Sequence, residues 1–504
     1  MKQNIIKAAL LAVLALPALT ACEFDQYPTT SIPNEESWRS IADARRFNIG
    51  IRAYTRSISC YGWYTMDLQA DYYQPGLGYG NNGGLTYNWS FTSSENGGLW
   101  SNMYAAIGQA NNFINNCEQI EAETKAEETA MSQYKAEAYF LRAYAYANLV
   151  TRYCEDYDPA RADQQLGLPL VTAMDINEKP ARASLAATFK FIKDDIAMSR
   201  SLIQRTDPTT SVNDDSYFLN GVHGRVLDAL EARIDLYMEN YTEAIQLANS
   251  LIEDSNYELA TTAANLFEQF RTDFGPEFIY VFFASNSEGV MNYGTYHSWS
   301  TTEEAYSPYF LPSQGTIDAF AANDIRRAAF FEQVEKVKQM SESATGIYLL
   351  NKFPGNPDLL SSSNDPDHTY YQAAKPFRIA EMYLIAAEAA YRLNDVVNAQ
   401  KYLSGLRTAR GLEAATSIGD RLFSDIQDEW FREFIGEGQR LDCLKRWHQG
   451  FTRDGRMQAG NIIVQSDPER NINLSVSADD QRFIWEIPSQ DLLANPNLVP
   501  NWGN

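Results

Sequence analysis

Two segments of the chain share one pattern of small apolar and polar positions. Residues 229–245 and 385–400 each contain an apolar helical face, a polar break and a second apolar face. Both segments carry a pair of alanines twelve positions apart, namely Ala232 with Ala244 and Ala387 with Ala399. Two helices approach closely only where the side chains between them are small. The pattern therefore predicts helix–turn–helix pairs of the tetratricopeptide type.

Helical periodicity covers much of the remaining chain. With the two repeat segments it predicts helix pairs near residues 36–57, 100–153, 185–252 and 376–447. Trp100 falls at the start of the second of these and is assigned to the core. The predicted fold class is mainly α: a tetratricopeptide-like helical-repeat scaffold with an irregular, loop-rich lobe that contains little β structure.

Two stretches interrupt this helical frame, near residues 58–98 and 274–375. The first is rich in Tyr, Trp, Asn and Gly, and the second opens on a strand-like run at residues 277–283. Loops of this length are usually functional or disordered, and their aromatic content argues against disorder. We therefore expect a binding site in these stretches.

The N-terminus has the features of an export signal. Two lysines flank a short apolar run at residues 5–19, and Thr20-Ala21-Cys22 follow. The run is too short to span a bilayer, and a cysteine at the cleavage point is typical of a bacterial lipobox. We expect residues 1–21 to be a signal peptide, Cys22 to carry lipid and residues 22–35 to be a tether. The alternative is a soluble periplasmic protein.

The net charge of the chain limits the classes of molecule that the protein can bind. The net charge of -24 argues against nucleic acids and anionic membrane surfaces as binding partners, because both recruit clustered Lys and Arg.

The cysteines beyond Cys22 have neither C-x-x-C spacing nor a neighbouring His, so a zinc site is not indicated. They are expected to be buried small hydrophobes, although two of them could pair in an exported protein. These cysteines are Cys60, Cys117, Cys154 and Cys443.

Motifs that could carry chemistry are weak. The G-x-G-x-x-G at residues 78–83 lacks the preceding strand and following helix that a dinucleotide site needs. Glu433 with Glu437 and Arg440 could suggest paired catalytic carboxylates, but Glu and Arg at helical spacing more often form structural ion pairs. Residues 364–368 lack a full ligand set for calcium. We predict no enzymatic activity, no cofactor and no metal.

Blocks spread along the chain resemble the SusD/RagB family of outer-membrane nutrient-binding lipoproteins of Bacteroidetes. The most specific block reads Phe431-Arg432-Glu433-Phe434-Ile435-Gly436-Glu437-Gly438-Gln439-Arg440. The others lie at residues 136–143 with 167–171 after them, at 377–384, and at 485–488 with 495–497. The resemblance implies a tetratricopeptide-like scaffold that sits as a lid on a TonB-dependent, SusC-like outer-membrane transporter. Family members mostly bind oligosaccharides or polysaccharides, and some bind peptides.

The two irregular stretches combine aromatic side chains with amides and carboxylates, a combination that favours sugar binding. Pyranose rings stack their apolar C–H faces on aromatic rings, while their hydroxyls need polar partners. The candidates in the first stretch are Trp63, Asp71, Tyr72, Tyr73, Asn88 and Trp89, and those in the second are Asn292, Tyr293, Tyr296 and Trp299. Since repeat scaffolds commonly collect insertions on one face, we predict that the two sets form one binding platform. The alternative is that each ring packs its own lobe.

The predicted function is that of a surface glycan-binding lipoprotein, anchored in the outer membrane and facing the cell exterior, that delivers its ligand to the transporter. A peptide receptor of the same family is one alternative, and a tetratricopeptide interaction scaffold without a small ligand is another. A scaffold would present an open groove of small and polar residues, whereas a nutrient receptor should gather exposed Trp and Tyr on one lobe.

Overall fold

The structure of the chain, a computed structural model, describes residues 37–80, 82–173, 175, 177–203, 221–285, 291–360, 367–464 and 474–502. The predicted signal peptide, the predicted lipid-anchor position Cys22 and the predicted tether lie outside these residues. Within the described ranges, no helix is long and apolar enough to cross a membrane.

Helices dominate the fold, as the periodicity predicts. In chain order they are α1 Ile41–Ser59, α2 Trp63–Gln69, α3 Gly84–Tyr87, α4 Ser93–Asn116, α5 Lys125–Tyr153, α6 Leu185–Ile203, α7 Gly224–Tyr237, α8 Tyr241–Ile252, α9 Ala263–Thr272, α10 Gln314–Asp318, α11 Ile325–Phe330, α12 Ile379–Arg392, α13 Val396–Ala409, α14 Gly419–Glu433, α15 Arg440–Arg446 and α16 Ser489–Ala494. Neighbouring helices pack together: α4 on α5, α5 on α6, α7 on α8, and α12 on both α8 and α13.

The two alanine-spaced segments form the helix pairs α7–α8 and α12–α13. All four predicted alanines are fully buried. Between the helices of each pair, Glu239 and Asn394 take the same left-handed conformation, with φ of 60°. In both turns the N–H of the next residue donates to the carbonyl five positions earlier. The predicted helix–turn–helix pattern is thus confirmed for both segments.

Helix α4 begins at Ser93, seven residues before the predicted start near residue 100. Thr92 caps its N-terminus, and the Glu95 carboxylate accepts the Thr92 N–H at 2.6 Å in a capping box. The glycines at 97 and 98, which suggest a loop in the sequence, lie inside the helix because this cap fixes its first turn. Trp100 is buried, as predicted.

β structure is limited to short strands in small sheets. Strand β1 (Tyr73–Pro75) pairs with β6 (Phe310–Pro312) and ties the two irregular stretches together. A four-stranded sheet has the order β4-β5-β8-β9, formed by Trp299–Ser300, Ala305–Tyr306, Val337–Gln339 and Glu342–Ala344. The remaining pairs are β2 Phe278–Tyr280 with β12 Phe377–Arg378, β3 Met291–Asn292 with β11 Tyr371–Gln372, β7 Phe331–Val334 with β10 Ile347–Leu350, and β13 Phe451–Thr452 with β14 Ser475–Val476.

The glycine motif at residues 78–83 does have a strand before it and a helix after it, which corrects the prediction. The strand is β1, whose partner β6 runs antiparallel, and the helix is the four-residue α3. A dinucleotide site needs a parallel strand that leads into a longer helix, so the rejection of that site is unchanged.

Many buried apolar residues of the two predicted irregular stretches form clusters separate from the helical core, whereas Trp89 and Phe91 of the first stretch belong to the helical core. The four described cysteines are free and buried, and burial raises the pKa of each thiol to about 11. They are therefore small core hydrophobes, as predicted, and no pair of them forms a disulfide.

Candidate functional site

The aromatic candidates of the first irregular stretch lie mostly in the core. Trp89, Tyr72 and Tyr73 are all less than 2 % exposed. The Trp89 indole N–H donates to the Gln69 carbonyl at 2.8 Å, and the Tyr72 hydroxyl donates to the Phe431 carbonyl at 2.9 Å. Their predicted role in stacking on a ligand is wrong for this structure, because each ring already has its faces covered by protein.

Two candidates of the second stretch are also core residues. Tyr293 stacks on Phe353 with ring centroids 4.1 Å apart, and Tyr296 lies edge-on to Tyr64 at 5.2 Å. The rings of Tyr73 and Tyr296, one from each stretch, do meet, with centroids 6.1 Å apart. The predicted platform therefore exists in part as an aromatic core of the lobe rather than as an open surface.

The other candidates of the first stretch, Asp71, Trp63 and Asn88, have different surroundings. Asp71 forms a two-point ion pair with Arg440, at 2.9 and 2.8 Å, which occupies both of its carboxylate oxygens. Trp63 is half-buried against Gly438, where an added Cβ would meet the Trp63 Cα at 2.8 Å. Asn88 is half-buried at an open surface hollow described below. Of these three residues, Asn88 alone lines one of the two cavities described below.

A cavity of about 360 Å³ lies within the second stretch, between the end of α9 and the strands β5 and β7. Aromatic and polar side chains line it together. Its lining includes Phe267, Arg271, Tyr306, Glu332, Asn351, Pro354, Gly355, Asp367, Thr369 and Tyr370. We call this space the ligand cavity.

A pair of stacked rings lies beside Tyr306, a residue of the ligand-cavity lining. Trp299 lies parallel to His368 at 3.8 Å between ring centroids, and Tyr306 meets Trp299 edge-on at 4.8 Å. The pairing of β4 with β5 places Trp299 opposite Tyr306. Trp299 is half-buried and contacts the lining residue Tyr306, so the structure places this predicted aromatic candidate next to the cavity lining.

A second stack supports Tyr370 on the cavity wall. The Tyr370 ring lies parallel to the buried His297 imidazole at 4.1 Å. Burial lowers the pKa of His297 to about 3, so the imidazole is neutral at physiological pH. Asn292, the remaining candidate of this stretch, is exposed and caps the nearby turn, where its side-chain oxygen accepts the Gly294 N–H at 2.8 Å.

A tight turn forms the floor of the ligand cavity. Gly355 has φ of 91°, and a Cβ there would lie 2.2 Å from the Thr369 carbonyl oxygen. Next to it, the Asn356 amide donates to the Asp273 carboxylate at 2.8 Å. Asp273 also pairs with buried Lys375. Glycine at position 355 and this polar anchor hold the turn against residues 369 and 370.

The family-like block at residues 431–440 is structural. Glu433 is fully buried and accepts from Arg378 and Arg410 at 2.9 Å each and from Arg326 at 3.1 Å. Burial favours a raised pKa for Glu433, but the three guanidinium groups lower it well below its usual range. The predicted ion-pair role is confirmed, although the partners are distant in sequence rather than one helical turn away. A carboxylate so fully paired does not act as a general acid.

Glu437, the other acidic residue of that block, also forms buried ion pairs. Glu437 pairs with Lys352 at 2.5 Å and with Arg378 at 2.6 Å. Burial raises the pKa of Glu437, but the two cations lower it by more, so the pKa lies below its usual value. Its carboxylate is therefore held as a counter-ion within the core.

A second, more open hollow of about 510 Å³ lies on the first stretch. It is lined by Leu77, Tyr79, Gly80, Gly84, Leu85, Asn88 and Met340. Leu85 and Met340 are 52 % and 70 % exposed, so this hollow is mainly apolar. Its lining offers few hydrogen-bonding groups for a sugar compared with the ligand cavity.

Several residues of the ligand cavity are absent from the sequence-based candidates. Tyr306 and Tyr370 belong to the predicted irregular stretch, and its aromatic richness was the available signal. Arg271 and Glu332 are ordinary charged residues of α9 and β7 and carry no local signal of binding.

Comparisons with known proteins agree with the fold. The description of the SusD family matches residues 238–503, and the description "Starch-binding associating with outer membrane" matches residues 77–213. SusD-like protein P2 of Formosa agariphila is 22% identical over 532 residues, which cover 97% of each chain. A SusD superfamily structure from Bacteroides thetaiotaomicron has a TM-score of 0.73 and 23% identity, and covers 92% of this chain and 100% of its own. Surface glycan-binding protein A from the same species, in complex with laminarihexaose, has a TM-score of 0.69 and 18% identity, with 92% and 99% coverage.

Proposed function

Because this chain belongs to the SusD family, we propose that it is a glycan-binding protein of the bacterial outer membrane and that the ligand cavity holds its sugar. One observation carries the proposal: Tyr306 and Tyr370 line a space that also presents Glu332 and Asn351, with Trp299 at its edge. Aromatic faces suit the C–H faces of pyranose rings, and the polar groups suit their hydroxyls. Related proteins whose names refer to starch and laminarihexaose support the same ligand class.

We further propose that the protein is lipid-anchored at Cys22, faces the cell exterior and passes its ligand to a SusC-like TonB-dependent transporter. A tethered binding protein cannot itself move a nutrient across the membrane. The match to proteins that associate with the outer membrane supports this location.

We propose a binding role without catalysis. The buried carboxylates of the 431–440 block are neutralised by arginine and lysine, so they are not available for acid–base chemistry. The described residues of the ligand-cavity lining include neither a Cys nor a Ser–His pair that could attack a bond as a nucleophile.

Affinity gel electrophoresis against a panel of polysaccharides tests the proposal. We expect at least one glycan to retard the purified mature protein and to remain unhydrolysed after prolonged incubation. Retardation by none of the glycans, together with binding of peptides in a parallel assay, would favour the alternative of a peptide receptor. Release of reducing sugar by the protein would contradict the binding-only role.

A further inference from the structure

Among the described residues, the lining of the ligand cavity has two acidic side chains and one basic side chain. The charged residues that line it are Arg271, Glu332 and Asp367. The Arg271 guanidinium donates to the Glu268 carboxylate at 3.0 Å, and Glu268 is not part of the cavity lining. The cation is thus already offset by a carboxylate outside the lining, whereas the Glu332 carboxyl belongs to the lining itself.

Glu332 is the more enclosed of these two acidic groups. It lies half-buried on β7, and no described Lys or Arg forms an ion pair with it. Burial raises the pKa of its carboxyl, and the His368 imidazole offsets that effect only in part. A carboxylate whose own charge is incompletely balanced adds repulsion to any anionic group placed beside it.

We infer that the ligand cavity selects uncharged glycans and discriminates against sugars that carry carboxylate or sulfate groups. This inference rests on the proposed function of the cavity. The net charge of -24 acts in the same direction, but at physiological ionic strength charges more than about 8 Å away are largely screened. The local carboxylate of Glu332 therefore decides the selectivity.

Paired polysaccharides test this inference. The probes are laminarin, starch, xylan and mannan, each compared with its carboxymethyl derivative in affinity electrophoresis at physiological salt. We expect the bound neutral glycan to lose at least about tenfold in affinity when carboxymethylated, since like charges brought together in a site repel each other. The ratio of the two affinities is the quantity to follow across variants.

Two variants separate the local charge from the overall charge. Glu332→Gln removes a carboxylate from the cavity and should bring the affinity ratio at least about threefold closer to one, because the repulsion between close charges is lost. Glu335→Gln removes the same charge from an exposed residue three positions along the chain and should leave the ratio unchanged.

The possible outcomes separate a failure of the proposed selectivity from a failure of the proposed glycan binding. Equal or tighter binding of a carboxymethyl derivative by the wild-type protein would overturn the selectivity while leaving glycan binding intact. Equal shifts in the two variants would overturn the assignment to Glu332. Retention by none of the glycans, neutral or charged, would overturn the proposed function and the selectivity with it.

Discussion

At the scale of single residues, two tryptophans of the irregular lobe have opposite roles. Trp299 is half-buried at the edge of the ligand cavity, stacked on His368, whereas Trp89 is fully buried and donates its indole N–H to the backbone. Substitution should therefore affect binding at one position and stability at the other.

Trp299→Ala should weaken glycan binding by about 1 to 2 kcal/mol, roughly five- to thirtyfold, because a large stacking surface is lost. Its urea unfolding curve should change little. Trp89→Ala should instead lower the free energy of unfolding by about 3 to 5 kcal/mol, the usual cost of emptying a buried tryptophan site. Isothermal titration and urea unfolding of both variants measure these effects. A stable Trp89→Ala variant with impaired binding would restore the sequence-based assignment.

The buried carboxylate of Glu433 makes stability depend on pH. Its pKa in the folded protein lies below the ordinary value of 4.5, so the unfolded chain takes up the proton first as the pH falls. Its stabilising contribution is complete above about pH 4.5 and is lost as the pH falls through the folded pKa.

Glu433→Gln should cost about 3 to 5 kcal/mol at pH 7, because it leaves buried arginines without their counter-charge. The difference from wild type should shrink below pH 4.5, where wild type loses the same charge. Urea unfolding across this pH range measures both effects. Glu128→Gln, at a carboxylate 57% exposed, is the control and should change stability by less than about 0.5 kcal/mol. A Glu433→Gln variant as stable as wild type at pH 7 contradicts the account.

Individual site residues were the least predictable part of the molecule. Aromatic composition located the irregular stretches but did not reveal which rings face solvent. Trp89 is buried because Phe451 and Phe483, more than 350 residues away in sequence, pack against it. Likewise Asp71 is an ion-pair partner because the fold places Arg440 beside it. Such long-range contacts leave no local pattern.

At the scale of elements, the turn below the ligand cavity depends on a missing side chain. Gly355→Ala would place a Cβ against the Thr369 carbonyl and force the turn away from residues 369 and 370. We expect a loss of about 1 to 3 kcal/mol in stability, since the left-handed backbone at this position is also strained for alanine. Glycan affinity should fall as well, because the displaced residues line the cavity.

Gly108 in the middle of α4 is the matched control. No atom lies within 4 Å of a Cβ added there. Gly108→Ala should raise stability by roughly 0.5 to 1 kcal/mol, because alanine favours the helix, and should leave binding unchanged. Thermal unfolding and isothermal titration of both variants measure the contrast. Normal binding by a stable Gly355→Ala variant would show that the turn does not shape the site.

Elements were more predictable than residues wherever a local pattern was strong. The alanine spacing located the pairs α7–α8 and α12–α13 because close helix packing restricts side-chain size. The start of α4 was missed because two glycines near it suggested a loop. The capping box of Thr92 and Glu95 determines where this helix begins. The short strands depend on partners far along the chain, so the sequence indicated little more than β2.

At the scale of the whole molecule, the proposed function requires that the protein is attached to a membrane surface. Replacing Cys22 by Ala should move the protein from the membrane fraction to the soluble fraction, because a lipid anchor of this kind needs the cysteine thiol. Fractionation with immunoblotting of wild type and variant measures the shift. Unchanged membrane attachment of Cys22→Ala would mean that another feature holds the protein.

The central claim is that the ligand cavity, rather than the apolar hollow beside Leu85 and Met340, binds the glycan. A crystal structure of the protein with the oligosaccharide that the affinity gels select tests it most directly. We predict density for sugar rings against Tyr306, Tyr370 and the exposed part of Trp299, with hydroxyls within hydrogen-bonding distance of Asn351 or Glu332. Sugar density at the apolar hollow, with the ligand cavity empty, would contradict the account.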